Sequence, residues 1–277
     1  MSRNLTLISI IAIAFLALAS LGGLVWANTL FARQNPGETD FLVPWLGART
    51  FLQYGISPYD QPATQRAQII YYGRLAKEGE DPLRLKVPFF IELFYFPFAL
   101  VSDYSLARGL WMTLLEVALV LTAFLSLSLA GWKMPRILLP IYLLFTLLWF
   151  HAWMPLIAGS AVIYAALFIS AAILALRAGK DELAGALMIL SAFQPLAGGV
   201  FTLFMLSWIV YHRRWRALWG ALMAVGLLFV AAFIFLPDWF LPFVRALIAE
   251  YKQTTFFTPG TIFAGWWPAM ATNSAGR

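Results

Sequence analysis

Long uncharged stretches alternate with short charged ones along this chain. The first runs from Asn4 to Ala32, between Arg3 and Arg33. Its apolar heart, Leu5 to Ala27, is long enough at about 1.5 Å per residue to cross a bilayer core of about 30 Å. Val25-Trp26-Ala27 fits a small-residue cleavage site, but the apolar regions of signal peptides usually run to about 7–15 residues, so the stretch predicts an uncleaved first helix. Leu106 to Ala130 and Leu218 to Leu236 predict two further spans. Ile137 to Leu176 carries no formal charge and breaks at His151-Ala152-Trp153-Met154-Pro155, which predicts two helices joined by a short external turn. Leu183 to Tyr211 is equally uncharged but interrupted at Phe193-Gln194-Pro195, with Gly198-Gly199 just beyond. Proline cannot continue the helical hydrogen-bond ladder, so two short helices packed as a re-entrant hairpin are expected there.

Between these runs, residues 28–103 form the one long segment placed outside the membrane, with seven Lys/Arg against eight Asp/Glu. Phe41 to Tyr54 mixes aromatics with Arg49, the pattern of a helix lying in the interface. Gly55 to Tyr59 reads as a turn, Pro62 to Ala76 as a second amphipathic helix, and Lys77 to Lys86 as a charged loop. Pro88 to Val101 is apolar but interrupted by Glu92 and Pro97, and is expected to dip into the interface rather than cross it. After Pro237, a tail holds an interfacial helix from Phe240 to Lys252 and the aromatic stretch Gly265-Trp266-Trp267-Pro268.

The basic clusters orient this array. Lys133 and Arg136, Arg177 and Lys180, and Arg213, Arg214 and Arg216 all sit in short loops, which the positive-inside rule assigns to the cytoplasm. The expectation is an all-α polytopic membrane protein of about seven membrane segments. It forms a single domain over residues 1–277, with the N-terminus cytoplasmic, residues 28–103 as the first external loop and residues 237–277 as an external tail.

Composition supports this reading. Hydrophobic residues make up 62% and charged residues 12%, whereas soluble domains carry about 25% charged residues. The net charge of +6 resides in the loop clusters, which suits topology and lipid headgroups and not nucleic acid. The chain has no cysteine, which removes disulfides, a thiol nucleophile and cysteine-based metal sites. His151 and His212 stand far apart with no metal-binding spacing, so neither a metal nor a cofactor is expected.

The order of motifs resembles glycosyltransferase family 87. The similarity lies in the Asp40-Phe41 pair soon after the first helix, the aromatic-and-Arg helix, and Gly55-x-x-Pro58-Tyr59. It continues through Phe94-Tyr95-Phe96-Pro97-Phe98, Ala107-Arg108-Gly109-Leu110-Trp111, Gln194-Pro195 and the basic turn Arg213-Arg214-Trp215-Arg216. The resemblance implies a GT-C membrane fold and a mannose-like sugar moved from a polyprenyl-phosphate donor to an acceptor hydroxyl, with inversion, at the outer face of the cell membrane. Membrane lipids are the other expected partner. The family often has Lys-Pro where this chain has Gln194-Pro195. Its members are also commonly longer, so the chain reads as a C-terminally shortened relative or a fragment, and a protein partner supplying further helices is one way to complete it.

The resemblance makes Asp40 the general base, whose task is to accept the proton of the attacking hydroxyl. The competing role for Asp40 is to cap the helix that follows it, since Asp is a favoured N-cap. Glu38 is its acidic neighbour. Arg49, Arg84, Lys86 and Arg108 are candidates to meet the donor phosphate, or else to snorkel at the interface, and Arg108 has Glu116 and Asp103 as alternative partners. Tyr59 and Tyr95 either stack on sugar or pack, and Gln194 stands at the hairpin. Glu116, inside a predicted span, suits either a proton pathway or neutral helix packing. The Pro195 break together with Glu116 keeps a transporter or lipid-handling protein open as a second class, and an inactive shortened relative as a third.

Overall fold

The computed structural model describes residues 2–35, 39–194 and 198–253. Glu38, Pro195 and the aromatic stretch around Trp266 lie outside them. The described residues form helices α1 (Ser2–Gln34), α2 (Thr39–Tyr54), α3 (Gln61–Tyr72), α4 (Phe89–Glu92), α5 (Phe96–Ala99) and α6 (Tyr104–Ala130). These are followed by α7 (Leu139–Leu148), α8 (Phe150–Ala158), α9 (Val162–Arg177), α10 (Asp181–Ser191), α11 (Val200–Tyr211), α12 (Trp215–Phe235) and α13 (Phe240–Gln253).

Among the described residues, three helical stretches are long and apolar enough to cross a membrane: Ser9–Gln34, Tyr104–Ala130 and Trp215–Phe235. A fourth is added if α7 and α8, bent by 54° at their junction, make one broken span. The seven expected segments therefore do not appear as seven full crossings. A complete crossing needs about 20 residues, and α9, α10 and α11 have 16, 11 and 12.

Local chemistry explains where the main helices start and stop. The Asp103 carboxylate accepts from Ser105 N at 2.8 Å and from Leu106 N, capping α6. Gly131, at φ 63°, closes it in the left-handed conformation that glycine adopts without a Cβ clash. Pro62 suits the first turn of α3, where a missing N–H costs nothing.

Two helix pairs pack closely. Along α1 and α6, Gly109 faces Thr29 with no room for a methyl group. One turn away, Asn28 Nδ2 donates to Thr113 Oγ1 and to Glu116 Oε2, both at 3.1 Å. Glu116 is thus held by a neighbouring helix, an interhelical polar contact of the kind that ties membrane helices together. Along α10 and α12, Gly185 abuts Ala217 and Ala221 while Gly220 abuts Glu182, so the two helices cross in close contact. Arg214 and Arg216 clasp the start of α10, binding Asp181 at 2.5 Å and Glu182 at 2.7 Å. The segment from α10 to α11 therefore leaves and re-enters the same end of the bundle, as the expected re-entrant hairpin requires. Arg177 donates to Leu129 O, which brings the C-terminal end of α6 to that basic end too.

The core beneath residues 39–103 is aromatic. Trp111 lies 5.4 Å from Phe41, 4.8 Å from Tyr95, 5.1 Å from Phe98 and 5.3 Å from Tyr164, measured between ring centroids. Its indole N–H donates to Gly159 O at 2.8 Å. Short helices α4 and α5 pack onto α2 around this cluster. Phe89, Phe90, Phe229 and Trp239 form a second aromatic knot that docks the end of α12 beside them.

Candidate active site

A cavity of about 480 Å³ opens at the end of the bundle opposite the basic turns. Six separate stretches meet there: the start of α2, the loop 81–87, residues 91–95, the turn at 160–161, residues 193–194 after α10, and α13. Asp40, Arg84, Lys86, Tyr95 and Gln194 line it with Ser160. Much of the remaining wall is aliphatic, including Val43, Leu83, Leu85, Val87 and Ile91, and α13 contributes Leu247. The lining unites phosphate-compatible cations, the two carboxylates Asp40 and Asp81, and a hydrocarbon surface.

Asp40 is exposed and lies in the first turn of α2, which begins at Thr39. The helix starts two residues earlier than a capping role for Asp40 requires, so its carboxylate sits inside the first turn, where the helix dipole favours negative charge. Phe41 anchors it. That ring is fully buried in the Trp111 cluster, and a Cβ on Gly159 would stand 2.9 Å from Phe41 Cβ. Gly159 also has φ 74°, so a side chain there is disfavoured both by backbone and by contact.

The basic wall is built by an unusual turn. Leu83 has φ 53°, a conformation that costs a non-glycine residue about 1–3 kcal/mol. It is held by near-complete burial of its side chain and by its N–H donating to Asp81 Oδ1 at 2.8 Å. Lys86 pairs with the other Asp81 oxygen at 3.1 Å. Arg84, between them, has no carboxylate partner among the described residues. Asp81-Pro82 signals a turn in the sequence but not that Leu83 takes the left-handed conformation, so Arg84 stood there only as one cation among several.

The hairpin tip is fixed by Phe193, buried 4.6 Å from Phe94 between ring centroids. This places the Gln194 amide on the cavity wall. Tyr95 is nearly fully buried, and burial pushes its phenol above its ordinary value. It keeps its proton and is not a base.

The other residues singled out from sequence lie elsewhere. Arg49 donates to Ala99 O at 2.8 Å and stacks 5.7 Å over Trp45. Tyr59 donates its hydroxyl to Val87 O at 2.7 Å. Arg108 is fully buried and donates to Asn35 O and, at 2.6 Å, to Ile157 O, bridging α1 to α8. Asp103 instead meets Arg33 at 3.6 Å.

Glu92, noted in the sequence only as an interruption, is fully buried against α2, where a Cβ on Gly47 would stand 2.7 Å from Glu92 Oε1. Burial lifts its carboxyl well above the ordinary carboxylate value of 4.5, opposed only in part by the Ala48 amide. A carboxyl whose pKa rises on folding stabilises the fold only while protonated. Stability should therefore fall as pH rises above about 4.5, by at most roughly 1.4 kcal/mol per pH unit. Glu92→Gln is expected to flatten this slope and to melt higher at pH 8, as read by thermal unfolding of detergent-purified protein between pH 4.5 and 8. Equal slopes in the two proteins would contradict it.

This is a helical membrane protein whose chemistry-bearing side chains gather in one cavity at one end of the bundle. The family model described as Glycosyltransferase family 87 matches residues 88–272, about two thirds of the chain. The chain therefore belongs to glycosyltransferase family 87 and is a multi-pass membrane glycosyltransferase, acting with a sugar donor among membrane lipids. The match begins after Asp40, Arg84 and Lys86, and covers Tyr95 and Gln194. No curated protein and no solved structure matches the chain.

Proposed function

We propose that the enzyme transfers a mannose-like sugar from a polyprenyl phosphate to an acceptor hydroxyl at the outer face of the cell membrane, with inversion and with Asp40 as the general base. The observation that carries this reading is the shared cavity, in which the Asp40 carboxylate, the Asp81–Lys86 pair and the Arg84 cation are set in an otherwise largely aliphatic wall. In the proposed step the acceptor oxygen bonds to the anomeric carbon, the bond from that carbon to the phosphate oxygen breaks, and the lipid phosphate leaves with the electron pair. The acceptor proton passes to the Asp40 carboxylate. Arg84 meets the charge that grows on the leaving phosphate, the kind of preorganised stabilisation that often dominates catalysis. Lys86 is already paired with Asp81 and tunes this field.

The basic turns support the sidedness. They lie at the end of the bundle opposite the cavity, separated from it by the length of α10, about 16 Å. With those turns in the cytoplasm, the cavity faces out and the N-terminus faces in.

The test is to reconstitute the protein in vesicles with a mannose-carrying polyprenyl phosphate and a hydroxyl acceptor, and to read the product's anomeric configuration by NMR. Inverted product is expected. Retained configuration, or no transfer from the lipid donor, would overturn the reading.

A further inference from the structure

Helix α3 carries Gln61, Thr64, Gln65 and Gln68 at the spacing of a single helix face. That face borders a second cavity, of about 420 Å³, completed by Tyr59, Arg84 and the chain near Ala76 and Pro82. Its chemistry differs from that of the first. The lining contains no carboxylate, its one charge is Arg84, and side-chain amides and a hydroxyl dominate it.

Gln68 is spent on the fold: its amide donates to Pro82 O at 2.8 Å and accepts from Ala76 N at 3.0 Å, bracing the loop that forms the far wall. Gln61, Thr64 and Gln65 bond to no other side chain among the described residues. Tyr59 has committed its hydroxyl to Val87 O, so it offers the cavity its ring and not its O–H. Primary amides and hydroxyls both donate and accept, as does every hydroxyl of a sugar. A cluster of such neutral groups beside an aromatic ring matches a polyhydroxylated ligand better than an ion or a hydrocarbon.

Arg84 lies on the walls of both cavities, so ligands in the two are neighbours across one side chain. We infer that the polar cavity is a binding site for a neutral glycan, with Gln61, Thr64 and Gln65 as its recognition residues. Resting on the transfer reading above, this glycan is the acceptor, which presents its hydroxyl past Arg84 toward Asp40.

The experiment uses the full chain in lipid nanodiscs and neutral mannotriose as the probe, with binding followed by saturation-transfer NMR. Thr64→Val combined with Gln65→Leu should weaken binding about tenfold or more, the loss of two hydrogen-bonding groups, while the melting temperature stays near that of the parent. The same double variant should lose transfer to mannotriose yet still release sugar from the lipid donor to water. No binding by the parent protein, or equal binding by parent and variant, overturns the inference. Preference for an anionic oligosaccharide over mannotriose overturns it as well. Binding that depends on Thr64 and Gln65 in a protein that transfers nothing from a polyprenyl phosphate upholds the glycan site and removes the donor reading, so the two failures are separable.

Discussion

Replacing Asp40 with Asn is expected to lower sugar transfer by about 10²–10⁴-fold, the usual contribution of a positioned general base, with expression and melting temperature close to the parent. The amide keeps the size and the exposed position in the first turn of α2, so packing is spared. What it loses is the capacity to take the acceptor's proton. The fall should lie in kcat and not in donor KM, because the groups proposed to meet the phosphate are on another segment, Arg84 and Lys86. Glu in place of Asp40 should recover part of the rate, since it restores the basic group at the cost of position. Transfer kinetics in vesicles with a saturating lipid donor check this, and a parental rate in Asp40→Asn would remove Asp40 from the chemistry.

The second large effect is structural. Trp111→Ala should destabilise the protein by about 3–5 kcal/mol, the range for losing a large buried aromatic. Trp111 is almost fully buried, its ring packs on Phe41, Tyr95, Phe98 and Tyr164, and its N–H satisfies Gly159 O. Removing it leaves a cavity under Phe41 and a carbonyl without its partner. Trp111→Phe should cost less, retaining most of the ring contacts but not the hydrogen bond. Denaturant or thermal unfolding in detergent measures the difference, and a loss below about 1 kcal/mol for Trp111→Ala would mean that the cluster is not the keystone of residues 39–103. Since Phe41 adjoins Asp40 in sequence, activity should fall in Trp111→Ala even where the protein remains folded.

The parts of this architecture visible in the sequence are those that local chemistry dictates. Long apolar runs marked α1, α6 and α12, and Pro195 with its glycines marked a break that the structure turns into the hairpin between α10 and α11. The number of full crossings was less visible, because hydropathy does not distinguish a helix that spans lipid from a short one sheltered by neighbours. The stretches containing α9, α10 and α11 are as apolar as a span and too short to be one. In the site, Asp40, Tyr95 and Gln194 were identifiable from motif order and Lys86 from its charge, and the structure brings them to one cavity. Arg49 and Arg108 carried the same charge signal but donate to backbone carbonyls, a distinction that exists only in three dimensions. The left-handed turn at Leu83 and the amide face of α3 had no signature that single-residue reasoning reads, because each depends on where the loop 73–87 folds back.

The clasp of Arg214 on Asp181 and of Arg216 on Glu182 carries a consequence for topology. Because α10 and α12 begin side by side, the hairpin between them contributes nothing to the parity of membrane crossings. Everything after Arg213 faces the side it would face if residues 181–213 were excised and the flanking turns joined. The chain has thus gained a probe that reaches the cavity from below, tipped with Gln194, while leaving the sidedness of α12 and α13 untouched.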